Sequence, residues 1–99
     1  MKTITKKDNV SIVFGEWFDR INGNTYYDAL VYIGDSAYQV QYRYGYNHGD
    51  KQAVDEVLQE IGYRVRTNKR DMYAPYRHIH NIVIDKKKRD LYKETQKIS

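Results

Sequence analysis

Cysteine is absent from the 99 residues. That excludes disulfides and thiolate metal sites, and it fits a reducing compartment. The opening stretch MKTITKKDNVSIVF has no apolar core of roughly 7–15 residues behind its charges, so it does not read as a secretory leader. No run approaches the about 18 apolar residues of a membrane-crossing helix. The expectation is a cytoplasmic protein with no membrane partner. No Walker-type loop, GxSxG or HExxH pattern occurs, and no thiol is there to act as nucleophile. Proline occurs once, and the six glycines are spaced as turns and caps, not as a phosphate cradle. No cofactor is expected, and the reading is non-enzymatic.

What is abundant is tyrosine, eleven residues against one Trp and two Phe. Tyrosine is amphipathic and loses little entropy on ordering, so it suits half-buried sheet faces and binding surfaces alike. Charge is unevenly placed. Residues 1–61 hold six Lys/Arg and nine Asp/Glu, net −3, while residues 62–99 hold eleven and four, net +7. Such asymmetry points to an electrostatic partner surface. The length suits a single domain, residues 1–99, with a modest core.

Residues 11–18 (SIVFGEWF) are β-branched and aromatic and predict a strand, preceded by a polar start that frays or forms a short edge strand. Gly15 inside it signals a bulge or a close backbone approach. Asn22-Gly23-Asn24 predicts a type I′ hairpin. The second strand, 25–33, places Tyr27, Ala29, Val31 and Ile33 on one face and Tyr26, Asp28, Leu30 and Tyr32 on the other. After a Gly34-Asp35 turn, the third strand, 37–46, alternates so that Tyr38, Val40, Tyr42 and Tyr44 share one face. Covered by the helix this face is core, and uncovered it is a protein-binding surface; Val40 and Tyr42 are expected in the core, with Tyr44 and Tyr46 open to either reading. Asp50 is a helix N-cap, and Ala53, Val54, Val57, Leu58 and Ile61 form one apolar stripe over 51–61. Beyond it, 63–66 and 79–85 read as short strands, 67–77 as a loop around Pro75, and 88–97 as a short helix contacting the body through Leu91. The fold class is α+β: a three-stranded antiparallel meander packed on one amphipathic helix (β-β-β-α). A basic tail follows, with one or two further short strands and a short C-terminal helix. An exposed first or last strand invites pairing with a second copy.

His78 and His80 alternate on the expected strand, but a metal site needs a third ligand, and only His48 and scattered acids are on offer. Histidines beside a basic patch are the simpler reading, and no metal is expected. Asp55, Glu56 and Glu60 read as a charged outer helix face, not as acid/base machinery. The basic tail carries the candidate binding residues: Arg64, Arg66, Lys69, Arg70, Tyr73, Tyr76, Arg77, Lys86, Lys87, Lys88 and Arg89. Cations for phosphates interleaved with flat rings for bases are the general recipe for RNA or single-stranded DNA. The β-β-β-α order is also that of the double-stranded RNA-binding domain. That domain begins its last helix with Lys and Ala, whereas DKQAVDEVLQEIG here is acidic.

The stretch YYDALVYIGDSAYQVQYRYGYNHGDKQAVDEVLQEIGY, residues 26–63, resembles small bacteriophage- and prophage-encoded accessory proteins. They share a strand ending in Tyr-Gly-Tyr and then an amphipathic helix ending in Gly-Tyr. VIDKKKRDLYK, residues 83–93, resembles their basic tail. The resemblance carries over no active-site residue. It implies a phage accessory protein working in the cytoplasm of an infected bacterial host, and by analogy an anti-CRISPR-like inhibitor. Its expected partner is a host protein or nucleoprotein complex such as a CRISPR-type defence nuclease. The alternative is an RNA- or DNA-binding accessory protein using the basic C-terminal segment.

Overall fold

β-branched and aromatic residues concentrated between positions 10 and 44 give the molecule its frame. In the structure, a computed structural model that describes residues 1–45, 50–66, 70 and 74–99, these residues form three long antiparallel strands. β1 (Lys2–Ile4) precedes them; β2 (Val10–Asp19), β3 (Asn24–Ile33) and β4 (Ser36–Tyr44) follow in order. β2 and β3 pair without interruption from Val10↔Ile33 to Asp19↔Asn24. The turn between them is not type I′. It takes four residues, 20–23, and only Gly23 has positive φ, +69°. The Asp19 carboxylate replaces the second left-handed residue as organiser: it accepts the amide N–H of Ile21 at 3.0 Å and the Asn22 side-chain amide at 2.8 Å.

The β3–β4 ladder slips by one residue. Ala29 pairs with Val40, but Tyr27 pairs with Arg43 and Tyr26 with Tyr44, so Gln41 and Tyr42 together oppose Asp28. This β-bulge reverses the alternation beyond it. Val40 is fully buried as expected, but Tyr42 is 46 % exposed on the opposite face of the sheet. The bulge is the reason Tyr42 is not a core residue.

α1 (Lys51–Glu60) is capped by Asp50, whose Oδ1 accepts the Ala53 N–H at 2.9 Å. Its buried stripe of Ala53, Val54, Val57 and Leu58 packs on the sheet face formed by Val10, Ile12, Phe14, Tyr27, Ala29, Val31 and Val40. The acidic helix positions are less solvated than the sequence suggests. The Tyr27 hydroxyl donates to Glu56, the Tyr76 hydroxyl donates to Asp55 at 2.7 Å, and Glu60 pairs with Arg43 at 3.3 Å. The contacts of Tyr27 on β3 and Arg43 on β4 tie helix to sheet. β5 (Tyr63–Val65) then pairs parallel to β1.

A 3-10 turn (Ala74–His78) leads into β6 (His80–Asp85), which pairs parallel to β2. His78 therefore lies in the turn and not on the strand. β7 (Gln96–Lys97) pairs with β4, giving a five-stranded sheet in the order β6-β2-β3-β4-β7. The chain between β6 and β7 crosses the sheet face opposite α1, from one edge to the other. We call it the strap. The helix expected over 88–97 is a single 3-10 turn, Lys88–Asp90, followed by extended chain. Its backbone groups are claimed by the sheet: Tyr92 N–H donates to Asp28 at 2.9 Å, and Tyr92 C=O accepts from Tyr42 N–H at 2.8 Å. A helix would forfeit both. The fold class is α+β, strand-dominated with one α-helix. No helix among the described residues is long and apolar enough to cross a membrane.

Candidate functional site

The strap is fastened at one point. Asp28 projects from β3 away from the helix and is 1 % exposed. A lone buried carboxylate is costly, so it demands a cation and hydrogen-bond donors. Lys86 Nζ lies 2.9 Å from its Oδ2, and the Tyr92 N–H donates to the same oxygen. Lys86 also donates to the Asp90 carbonyl at 3.3 Å and sits 4.0 Å from the centre of the Tyr92 ring. One ammonium thus binds a carboxylate, a carbonyl and an aromatic face, and these three contacts fold residues 86–92 onto the sheet. Gly15 explains itself here. It pairs with Asp28, and a Cβ at position 15 would come within 2.2 Å of Asp28 Oδ1 and 2.4 Å of Lys86 Cδ. Of the two readings of this glycine, close approach holds and bulge does not, since the β2–β3 ladder is unbroken.

The fastened strap walls a groove of about 550 Å³ against the sheet. Its floor is aromatic. Trp17 and Tyr26, paired across β2 and β3, stack with centroids 5.5 Å apart and planes at 27°. Tyr42 and Tyr44 meet Tyr26 edge-on at 6.2 and 5.9 Å. Leu91, a buried residue of the strap, closes one side. Lys88, Arg89 and Lys93 supply the rim, and Lys88 Nζ stands 5.6 Å over the Trp17 ring. Asp19 and Asn22 lie at the hairpin end. The Asn22 side chain holds the Asp19 carboxyl below its ordinary value, but the oxygens of that carboxylate are already taken by turn donors. The groove can accept a flat, electron-rich group against its rings with an anion alongside.

The candidate residues from the sequence are divided between the two sides of the sheet. Arg64 lies on β5, with its Nε donating to Thr3 at 3.1 Å, and Arg66 follows it. Tyr76 is half-buried against the helix with Lys51 5.3 Å from its ring centre. Burial, then the Asp55 contact, raises its hydroxyl pKa well above the usual range, as burial and Glu56 do for Tyr27. Arg70 and Arg77 are exposed. Lys69 and Tyr73 lie outside the described residues, as do Tyr46 and His48. Lys86 is the strap's fastener and Lys87 is exposed beside it. Of the nine that fall among the described residues, the structure brings only Lys88 and Arg89 to the groove. Among the described residues, no three His, Cys, Asp or Glu side chains gather as a metal site would require.

Sequence reasoning missed Trp17, Tyr26, Tyr42 and Lys93. One signal was available: an aspartate at 28, inside an apolar strand and facing a strand glycine, announces a buried partner on that face. In comparisons with protein-family models, curated proteins and solved structures, nothing matches this chain.

Proposed function

We propose that this protein is a non-enzymatic binding protein whose groove takes single-stranded RNA or DNA. The observation that carries the reading is the Trp17–Tyr26 stack with Lys88 above it and Arg89 and Lys93 alongside. Aromatic faces accept any base, each such stack being worth about 1–3 kcal/mol, and rim cations neutralise the phosphates between bases. A duplex keeps its bases stacked on each other and offers the groove only phosphates, so single strands are preferred. The groove's polar groups suit holding an anion; none forms a nucleophile–base pair.

The resemblance to phage accessory proteins supplies a setting for this reading. In the cytoplasm of an infected bacterium, the strand engaged is one carried by a host nucleoprotein machine such as a CRISPR-type defence nuclease, which binding inhibits or modulates. A net charge of +4 favours approach to nucleic acid over mimicry of it.

The protein contains one tryptophan, Trp17, at the centre of the floor, so its fluorescence reports occupancy directly. Titration with a short single-stranded oligonucleotide is expected to quench Trp17 saturably, and an equal amount of duplex to quench it less. Unchanged emission from folded protein at saturating oligonucleotide counts against the groove. Retention of a host protein from nuclease-treated lysate, without such quenching, would shift the reading to direct protein inhibition.

A further inference from the structure

β6 is one of the two edge strands of the five-stranded sheet, and its composition is unusual for an edge. Ile82, Val83 and Ile84 are 45 %, 41 % and 42 % exposed. Exposed edges are ordinarily blunted by lysine, proline or bulges, because unpaired backbone groups invite another strand. Residues 80–85 contain neither lysine nor proline, and their pairing to β2 is regular from Ser11↔His80 to Glu16↔Asp85.

The direction of each backbone group follows from the ladder. In a parallel pair, alternate residues turn both N–H and C=O to one neighbour. Lys86 N–H donates to Glu16 C=O at 2.7 Å, so even-numbered residues here face β2. Asn81, Val83 and Asp85 therefore turn their N–H and C=O groups to the open side. Among the described residues nothing pairs with them.

We propose that β6 pairs antiparallel with β6 of a second copy, about a two-fold axis through Val83, to give one continuous sheet across a homodimer. The register is determined by the residues. A two-fold axis normal to the sheet keeps each side chain on its own face, so the axis must pass through a residue. Centred on Val83, it sets Val83 opposite Val83 of the partner copy and Ile82 opposite Ile84. Asn81 falls opposite Asp85, an amide opposite a carboxylate. Every exposed apolar side chain of the edge then meets another, and every outward N–H and C=O of Asn81, Val83 and Asp85 is used. Centred on Ile82, the axis would set His80 against Ile84 and Asn81 against Val83. It would also leave Asp85 opposite Ile79, whose N–H is already bound to Tyr76 C=O at 3.1 Å. The self-complementarity of Asn81–Asp85 is what selects a second copy as the occupant.

Sedimentation equilibrium and cysteine cross-linking test this on the intact protein. The wild type is expected at twice the 11.9 kDa of one chain, and Val83→Lys at the single-chain mass with an unchanged far-ultraviolet spectrum. The absence of native cysteine makes a single introduced thiol diagnostic. V83C should cross-link on mild oxidation, because opposed residues in a hydrogen-bonded antiparallel pair have Cα atoms about 5.5 Å apart, within disulfide reach. I82C should not, because its equivalent lies on the diagonal at about 7–8 Å. A wild type that stays at single-chain mass at millimolar concentration overturns the proposal. So does a V83K protein that still dimerises, or cross-linking through I82C and not V83C. Pairing only with an added extended peptide would assign the edge to a foreign strand and overturn the homodimer.

Discussion

Asp28 and Lys86 are the two residues on which the strap depends, and their energetics are asymmetric. With side-chain exposures of 1 % and 17 %, neither can be rescued by water if the other is removed. Lys86→Met should destabilise the protein by about 3 kcal/mol, because it strands a buried carboxylate. Adding Asp28→Asn to that variant removes the charge and should recover a large part of the loss. Urea midpoints of the two variants check this, and equal destabilisation in both would mean the pair is not the fastener. Tyr27 and Tyr76 make a second prediction at this scale. Each hydroxyl has its pKa raised from an ordinary 10.0 by burial and a neighbouring carboxylate. Below that value both states keep the proton and the contribution to stability is constant. Above it the unfolded chain ionises first and binds fewer protons than the folded chain, so stability falls as pH rises. Urea midpoints should be flat below about pH 9 and decline beyond about pH 10. Tyr76→Phe should make that decline shallower, and an unaltered slope would contradict the assignment to Tyr76.

At the scale of elements, α1 stands on its cap and its stripe. Asp50→Ala removes the acceptor of the Ala53 N–H and should cost about 1 kcal/mol in a denaturant melt, with no change of fold; a cost near zero would mean that solvent satisfies that N–H equally well. The helix was legible because its signals are local: the cap Asp50 and the buried positions Ala53, Val54, Val57 and Leu58 at helical spacing. β2 and β3 were legible because their signals are local too: runs of β-branched and aromatic residues (SIVFGEWF, TYYDALVYI) bounded by the turn residues Asn22-Gly23-Asn24 and Gly34-Asp35. The bulge at Gln41–Tyr42 was not legible. Its cause lies across the sheet, where the strap takes the Tyr42 N–H, and no neighbour in sequence records it. The strap was misread as a helix because its hydrogen-bond partners, Asp28 and Tyr42, are some fifty or more residues away in sequence. The candidate basic residues were correctly seen as charged but could not be sorted by side, because that requires the crossover of residues 86–95.

For the whole molecule, the two faces of the sheet have separate roles. One is covered by α1 and forms the core. The other carries the strap and, beneath it, a groove that combines rings and cations. Both are tied to the β2–β3 frame, so the groove is held on rigid strands and its cations on a segment clamped by Lys86. These rings and cations together are proposed to bind single-stranded nucleic acid. The most direct test is the salt dependence of oligonucleotide affinity, read from Trp17 quenching, for the wild type and for the triple variant K88A/R89A/K93A. Three phosphate contacts on a single strand should give a slope of about −2 in log affinity against log salt. The triple variant should bind more weakly with a slope near zero. The same slope in both proteins would contradict the claim, because the phosphates would then be held somewhere other than the groove.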